Sequence, residues 1–215
     1  MMEPGSNATL GDALSDAAGR LDAAGIESAR LDARLLASKV LGWEQARLLA
    51  HPEHSLSPGQ CEALGALVAR REAREPLAAI TGRCEFWSLD FTVTADVLVP
   101  RPDSETLVEA ALASVENKDA ELKILDLGTG TGCLLLALLS ELPNARGLGV
   151  DVSEAALAVA NGNAERLTLG LPARFQLSDW DGAVGPDADA DGGFALVVST
   201  SPYLPDSVFP RLAPA

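Results

Sequence analysis

Asp126 stands two residues ahead of three alternating glycines, Gly128, Gly130 and Gly132, in the run "DLGTGTG", and a second carboxylate, Asp151, follows about 20 residues further on. Glycines lack the side chains that keep a ligand off the backbone, and these fall where an apolar strand, "LKILDLG", gives way to an apolar helix, "CLLLALLSEL". The spacing is G-x-G-x-G rather than the dinucleotide pattern G-x-G-x-x-G, and taken alone it also fits a tight strand-to-helix turn. The carboxylates sharpen the reading. Ahead of the glycines, Asp126 would repel a pyrophosphate and welcome an ammonium group. Asp151 ends the next strand, "RGLGVDV", where an acidic side chain receives ribose hydroxyls.

"SDW" after a third strand, "ARFQLSD", adds Asp179 and Trp180 at the same sheet edge, near where an adenine ring would lie. Taken singly, the aspartates also read as strand-end caps and Trp180 as a core lid. A ligand with an adenosine ribose and an amino-acid tail satisfies the set, and S-adenosylmethionine is such a ligand.

The elements that must hold these residues alternate strand and helix. After "RGLGVDV" come the helix "SEAALAVANGNAERL", the strand "ARFQLSD" and the strand "FALVVS", an order that implies a parallel sheet with crossover helices. Upstream, residues 87–93 alternate apolar and polar, which predicts a half-buried strand, with "TAD" as a turn and "VLVP" as the return of a β-hairpin. A helix carrying Leu107, Val108, Ala111 and Leu112 follows, started by Asp103 or Ser104.

The first third is helical. Thr9 is a candidate N-cap for a helix closed by Gly25, a second helix runs from about Ser28 to Gly42, and Ser57-Pro58-Gly59-Gln60 reads as a capping box with proline at N1. His51 and His54 lie between helices in "HPEHSLSP" and read as solvated loop residues, with no third ligand nearby for a metal. The acidic run "DGAVGPDADADGG" reads as a loop rather than a calcium site.

Acidic residues number 31 against 16 basic, a formal charge of −15, and a field of that sign repels phosphate backbones, so direct nucleic-acid binding is not expected. Three scattered cysteines, Cys61, Cys84 and Cys133, read as reduced thiols, and no stretch approaches the roughly 18 apolar residues of a membrane span. The expected setting is the cytoplasm, without a membrane and as a monomer.

The chain resembles the N5-glutamine methyltransferases that modify peptide chain release factors. The similar stretches are "REPLAAITGRCEFWSLDFTV", "VLVPRPDSETLVEAAL", "ILDLGTGTGCLLLALL", "LGVDVSEAALAVANGNAERL" and "QLSDW", of which "EFWSLDFTV" and "PRPDSE" are the specific segments, the glycine loop being shared by class I methyltransferases generally. The resemblance implies an α/β protein: a helical substrate-docking domain at 1–81, a β-hairpin connector at 82–100, and a Rossmann-like methyltransferase domain at 101–215. It implies that Gly128, Thr129, Gly130, Thr131 and Gly132 bind S-adenosylmethionine, with Asp151 and Trp180 at its ribose and adenine. It also places Arg101, Pro102 and Glu105 beside that site and makes a release factor the protein substrate.

Where the family carries Asn-Pro-Pro-Tyr, this chain has Thr200, Ser201, Pro202 and Tyr203. A glutamine amide nitrogen is a poor nucleophile because its lone pair is delocalised into the carbonyl, so an enzyme must orient it and accept its hydrogens. In the family the asparagine oxygen and a loop carbonyl do this, and the tyrosine packs against the amide. Thr200 keeps an oxygen on a shorter arm, displaced by about 1 Å, an error that can cost ~10²-fold in rate. Only "LPDSVFPRLAPA" follows, so the expectation is a methyltransferase domain without its last strands, with "FALVVS" at a sheet edge and little or no transfer to a release factor. The alternatives are a catalytically impaired relative that still binds cofactor or partner, and a methyltransferase of exocyclic base amino groups.

Overall fold

The computed structural model describes residues 8–170, 172–179 and 193–200. Two compact units divide it, Met1–Gly82 and Arg83–Ala215.

The first unit is helical: α1 (Leu10–Ala23), α2 (Ala29–Leu41), α3 (Gln45–Ala50), α4 (Pro58–Glu72) and α5 (Leu77–Thr81). Thr9 caps α1 through its side chain, the Ser57/Gln60 capping box starts α4, and Gly42 ends α2 in the left-handed region at φ 65°. Leu10, Leu21, Leu36, Leu48 and Val68 meet in its core. The short helices α3 and α5 were not legible in the sequence, because one or two turns do not establish a hydrophobic period. His51 is exposed in its loop as expected, whereas His54 is half-buried, its ring 4.6 Å from that of Trp43, and the Arg47 guanidinium sits 4.0 Å over the same indole.

A buried ion pair ties α2 to α4. Asp32 is only 2% exposed and accepts a 2.7 Å hydrogen bond from Arg71 Nε, whereas the neighbouring Arg70–Glu75 pair is open to water.

The second unit opens with the hairpin β1 (Arg83–Phe86) and β2 (Leu89–Thr92). The expected strand at 87–93 with its turn at "TAD" is therefore corrected: Trp87 and Ser88 are the turn, at φ 54° and 56°, and "VLVP" is not a strand. A two-residue loop with both residues left-handed matches strand twist, but asparagine and glycine usually occupy it. Tertiary bonds override that preference, since the Trp87 backbone N–H donates to Glu105 Oε1 (2.7 Å) and its indole N–H to Glu141 Oε1 (3.0 Å).

After a 3₁₀ turn at Pro102–Ser104 come α6 (Glu105–Ala113), β3 (Lys123–Leu127), α7 (Cys133–Glu141), β4 (Arg146–Asp151), α8 (Glu154–Arg166), β5 (Ala173–Leu177) and β6 (Leu196–Ser199). The sheet is parallel in the order β5-β4-β3-β6, so among the described residues β6 pairs with β3 and lies at an edge. Helix α7 is apolar all round and sinks into the core. Gly147 of β4 makes room for it, since a Cβ there would collide with Leu135 Cδ1, and Gly149 makes room in the same way for Phe175 and Thr129, a Cβ there coming within 2.7 Å of Phe175 Cδ1 and Thr129 Oγ1.

Removing the cation from the buried pair of the helical unit strands a carboxylate without water. Arg71→Leu should cost about 3–5 kcal/mol in urea unfolding, while Arg70→Leu, at an exposed pair, should change stability little.

Candidate functional site

The glycine loop turns the chain from β3 into α7 through three left-handed glycines, with φ of 72° at Gly128, 53° at Gly130 and 80° at Gly132. Two carboxylates brace it. Asp151, at the end of β4, accepts the Gly130 N–H on Oδ2 (2.9 Å) and the Ser153 N–H on Oδ1 (3.0 Å). Asp126, inside β3, accepts the Thr129 hydroxyl on Oδ2 at 2.7 Å. The Gly128 and Thr129 N–H groups both donate to the Val150 carbonyl at 2.9 Å, which binds the loop to the end of the neighbouring strand.

Above the loop lies a cavity of about 490 Å³, within the range of small-molecule sites. Gly128, Thr129, Gly130 and Thr131 form one wall, the segment 96–101 with Ser104 another, and Asp151, Asp179 and Thr200 reach it from the ends of three strands. It sits at the carboxyl ends of a parallel sheet, where open α/β folds bind ligands. A side chain at Gly128 or Gly130 would meet nothing within 4 Å, so both open onto free space. Leu98 (66% exposed) and Val152 (68%) supply apolar surface at the lining.

Two of the sequence-predicted residues stand apart from this lining. Gly132 does not face the cavity: it is the N-cap of α7, and a Cβ there would press on Leu136, Ala160 and Phe175 at 3.2–3.3 Å. Asp126 is 1% exposed behind the loop, with Oδ1 buried and unpartnered, so its charge acts through the loop rather than from the cavity wall. Of the segment placed beside the site, Arg101 lines the cavity, while Glu105 is engaged at the hairpin turn. Trp180, Ser201, Pro202 and Tyr203 lie outside the described residues.

Sequence reasoning missed Ser178, Ser104 and Cys133 in the lining. Burial pushes the Cys133 thiol up to about 12, so it remains a thiol rather than a nucleophilic thiolate. Asn163 was missed as well. The available signal was its place on the apolar face of α8 with Ala156, Ala160 and Ala164, where a polar residue needs partners.

Burial pushes the Asp126 carboxyl up to about 6, against the opposing hydrogen bond from Thr129 and helped by the nearby Asp151 charge. The folded protein thus holds this proton to a higher pH than the unfolded chain, and the associated stability is full below about pH 4 and lost as pH rises through about 6. Asp126→Asn removes the titration. Its melting temperature relative to the unaltered protein should therefore climb between about pH 4.5 and pH 7.5; a pH-independent difference would contradict this.

Residues 12–82 match the family described as PrmC N-terminal domain, and residues 118–206 match a methyltransferase domain. The release factor glutamine methyltransferase of Rhodospirillum rubrum is 46% identical over 205 residues, covering 95% of this chain and 61% of that protein. The enzymes of the same name from Cereibacter sphaeroides and Caulobacter vibrioides are 42% and 40% identical, over 94% and 96% of this chain and 69% of each relative. The chain thus spans between three fifths and seven tenths of the length of these relatives. Both the helical unit and the sheet with its glycine loop fall within the aligned span, and the chain belongs to the release factor glutamine methyltransferase family.

Proposed function

We propose that the cavity binds S-adenosylmethionine and that the chain is a protein methyltransferase directed at a side-chain amide nitrogen of a release-factor glutamine. The observation that carries this reading is the pair of left-handed glycines, Gly128 and Gly130, open to a cavity that Asp151 borders. A cofactor with a ribose, an adenine and a cationic amino-acid tail fits that donor set. The Asp151 carboxylate oxygens, each already taking one backbone N–H, retain lone pairs for hydroxyl donors. Asp179, which lines the cavity, falls to the adenine side, to which the family resemblance also assigns Trp180, and the buried Asp126 charge favours a cation near the loop. When bound, S-adenosylmethionine supplies an electrophilic methyl on a sulfonium.

The remaining task belongs to the protein: hold the amide and accept its hydrogens. Thr200 lines the cavity and offers its hydroxyl oxygen for this, and the family resemblance assigns the second acceptor to the Ser201 carbonyl and the packing against the amide to Tyr203, which follows Pro202. Residues 1–81 serve as the docking domain for the protein substrate and 82–100 join it to the methyltransferase domain at 101–215. The net charge of −15 favours a protein substrate over bare nucleic acid. Among the described residues no helix is long and apolar enough to cross a membrane, and we place the protein in the cytoplasm as a monomer.

A second reading, cofactor binding with impaired transfer, is favoured by Thr200 standing where the family carries asparagine. Transfer ~10²-fold slower than that of a relative with Asn-Pro-Pro-Tyr is expected from the displaced acceptor. Two measurements test the proposal. In calorimetry S-adenosylhomocysteine should bind the unaltered chain, and Gly130→Val, which fills the open space and strains a φ of 53°, should abolish binding in a protein that still folds. With methyl-tritiated cofactor, label should enter release factor and neither DNA nor RNA. Folded protein that binds no S-adenosylhomocysteine at millimolar concentration refutes the cofactor assignment, and label in nucleic acid refutes the substrate assignment.

A further inference from the structure

We propose that Asn163 is a positioning residue that sets the separation of the two cavity walls, and with it the affinity for the nucleoside cofactor. The inference rests on the cofactor reading of the cavity.

Asn163 projects from α8 and is wholly buried, at 0% exposure. Its Nδ2 donates to the Thr131 carbonyl (3.0 Å) and the Thr92 carbonyl (3.1 Å), and its Oδ1 accepts the Thr92 N–H (2.7 Å) and Arg166 Nη2 (3.2 Å). Every hydrogen-bonding capacity of the amide is thereby used. Thr131 belongs to the glycine wall, and Thr92 ends β2 just before the segment 96–101 that forms the facing wall.

Toward Thr92 the side chain behaves as a piece of a third strand, accepting the N–H and donating to the C=O of one residue as a neighbouring peptide group would. It closes an edge that a two-stranded hairpin leaves open, and with its remaining donor hydrogen it grips the glycine loop. No other side chain of that size serves both. Aspartate offers only acceptors to two carbonyls, and leucine offers nothing. Asn163 itself does not line the cavity, so its effect on a ligand runs through the two backbones it joins.

Calorimetric titration of the full chain with S-adenosylhomocysteine tests this, using Asn163→Asp, Asn163→Leu and, as a control, Val108→Ala in the core of the same unit. The Kd should rise about tenfold or more in both Asn163 variants and stay within about twofold in the control at a comparable fall in melting temperature. A purely structural residue would instead show the same Kd as a control matched for stability. Amide hydrogen exchange on the unaltered protein supplies a readout that needs no variant: ligand should slow exchange of the Thr92 N–H although Thr92 does not line the cavity. An unaltered Kd in folded Asn163→Asp, or Thr92 exchange indifferent to ligand, overturns the proposal. If the unaltered protein binds no S-adenosylhomocysteine, it is the cofactor reading that fails.

Discussion

The hydrogen bond from the Gly130 N–H to Asp151 Oδ2 is the contact on which the site depends. It fixes a loop that would otherwise be the most pliable part of the sheet, since three residues without side chains lose the most conformational freedom on folding. The same carboxylate takes the Ser153 N–H, so the end of β4, the start of α8 and the crest of the loop share one anchor. Behind the loop, Asp126 performs the matching task through the Thr129 hydroxyl. One brace faces the cavity and the other is sealed from water, which is why their environments differ so strongly. Gly149 completes the arrangement by being small, leaving room for the Thr129 hydroxyl and the Phe175 ring.

The hairpin is held as firmly as the loop. Phe86 and Phe91 pack edge to face with ring centroids 6.3 Å apart, Glu105 accepts the N–H of the strained turn residue Trp87, and Asn163 closes the free edge at Thr92. Arg166 adds a bond from α8 to the Asp90 carbonyl. An isolated two-stranded hairpin is marginal in water, and here it gains a core face, a pinned turn and a satisfied edge. It belongs to the second compact unit, and the segment that leaves it contributes residues 96–101 to the cavity lining.

The helical unit reaches order by a different route. Side-chain caps start α1 and α4, a left-handed glycine ends α2, and the buried ion pair between Asp32 and Arg71 fixes which faces of α2 and α4 meet. Such a pair contributes little net stability while both partners are present, because desolvation offsets attraction, but it penalises packings in which the carboxylate is alone.

Periodicity and capping chemistry were enough to read the parallel sheet, the crossover helices, the α4 capping box and the position of the glycine loop, because each depends on residues close in the chain. The altered residue at Thr200 was legible for the same reason. What the sequence by itself could not decide was the role of groups whose partners are distant. Trp87 and Ser88 alternate like a strand, yet form a left-handed turn because Glu105 and Glu141 bind the tryptophan. Asp126 looks like a ligand contact, yet lies behind the loop because the strand end turns its carboxylate under Thr129. Asn163 looks like one polar residue in an alanine-rich helix, yet joins two segments separated by 71 and 32 residues from it. Local patterns fix which elements form; the satisfaction of buried polar groups by long-range partners is settled only when the chain has closed on itself.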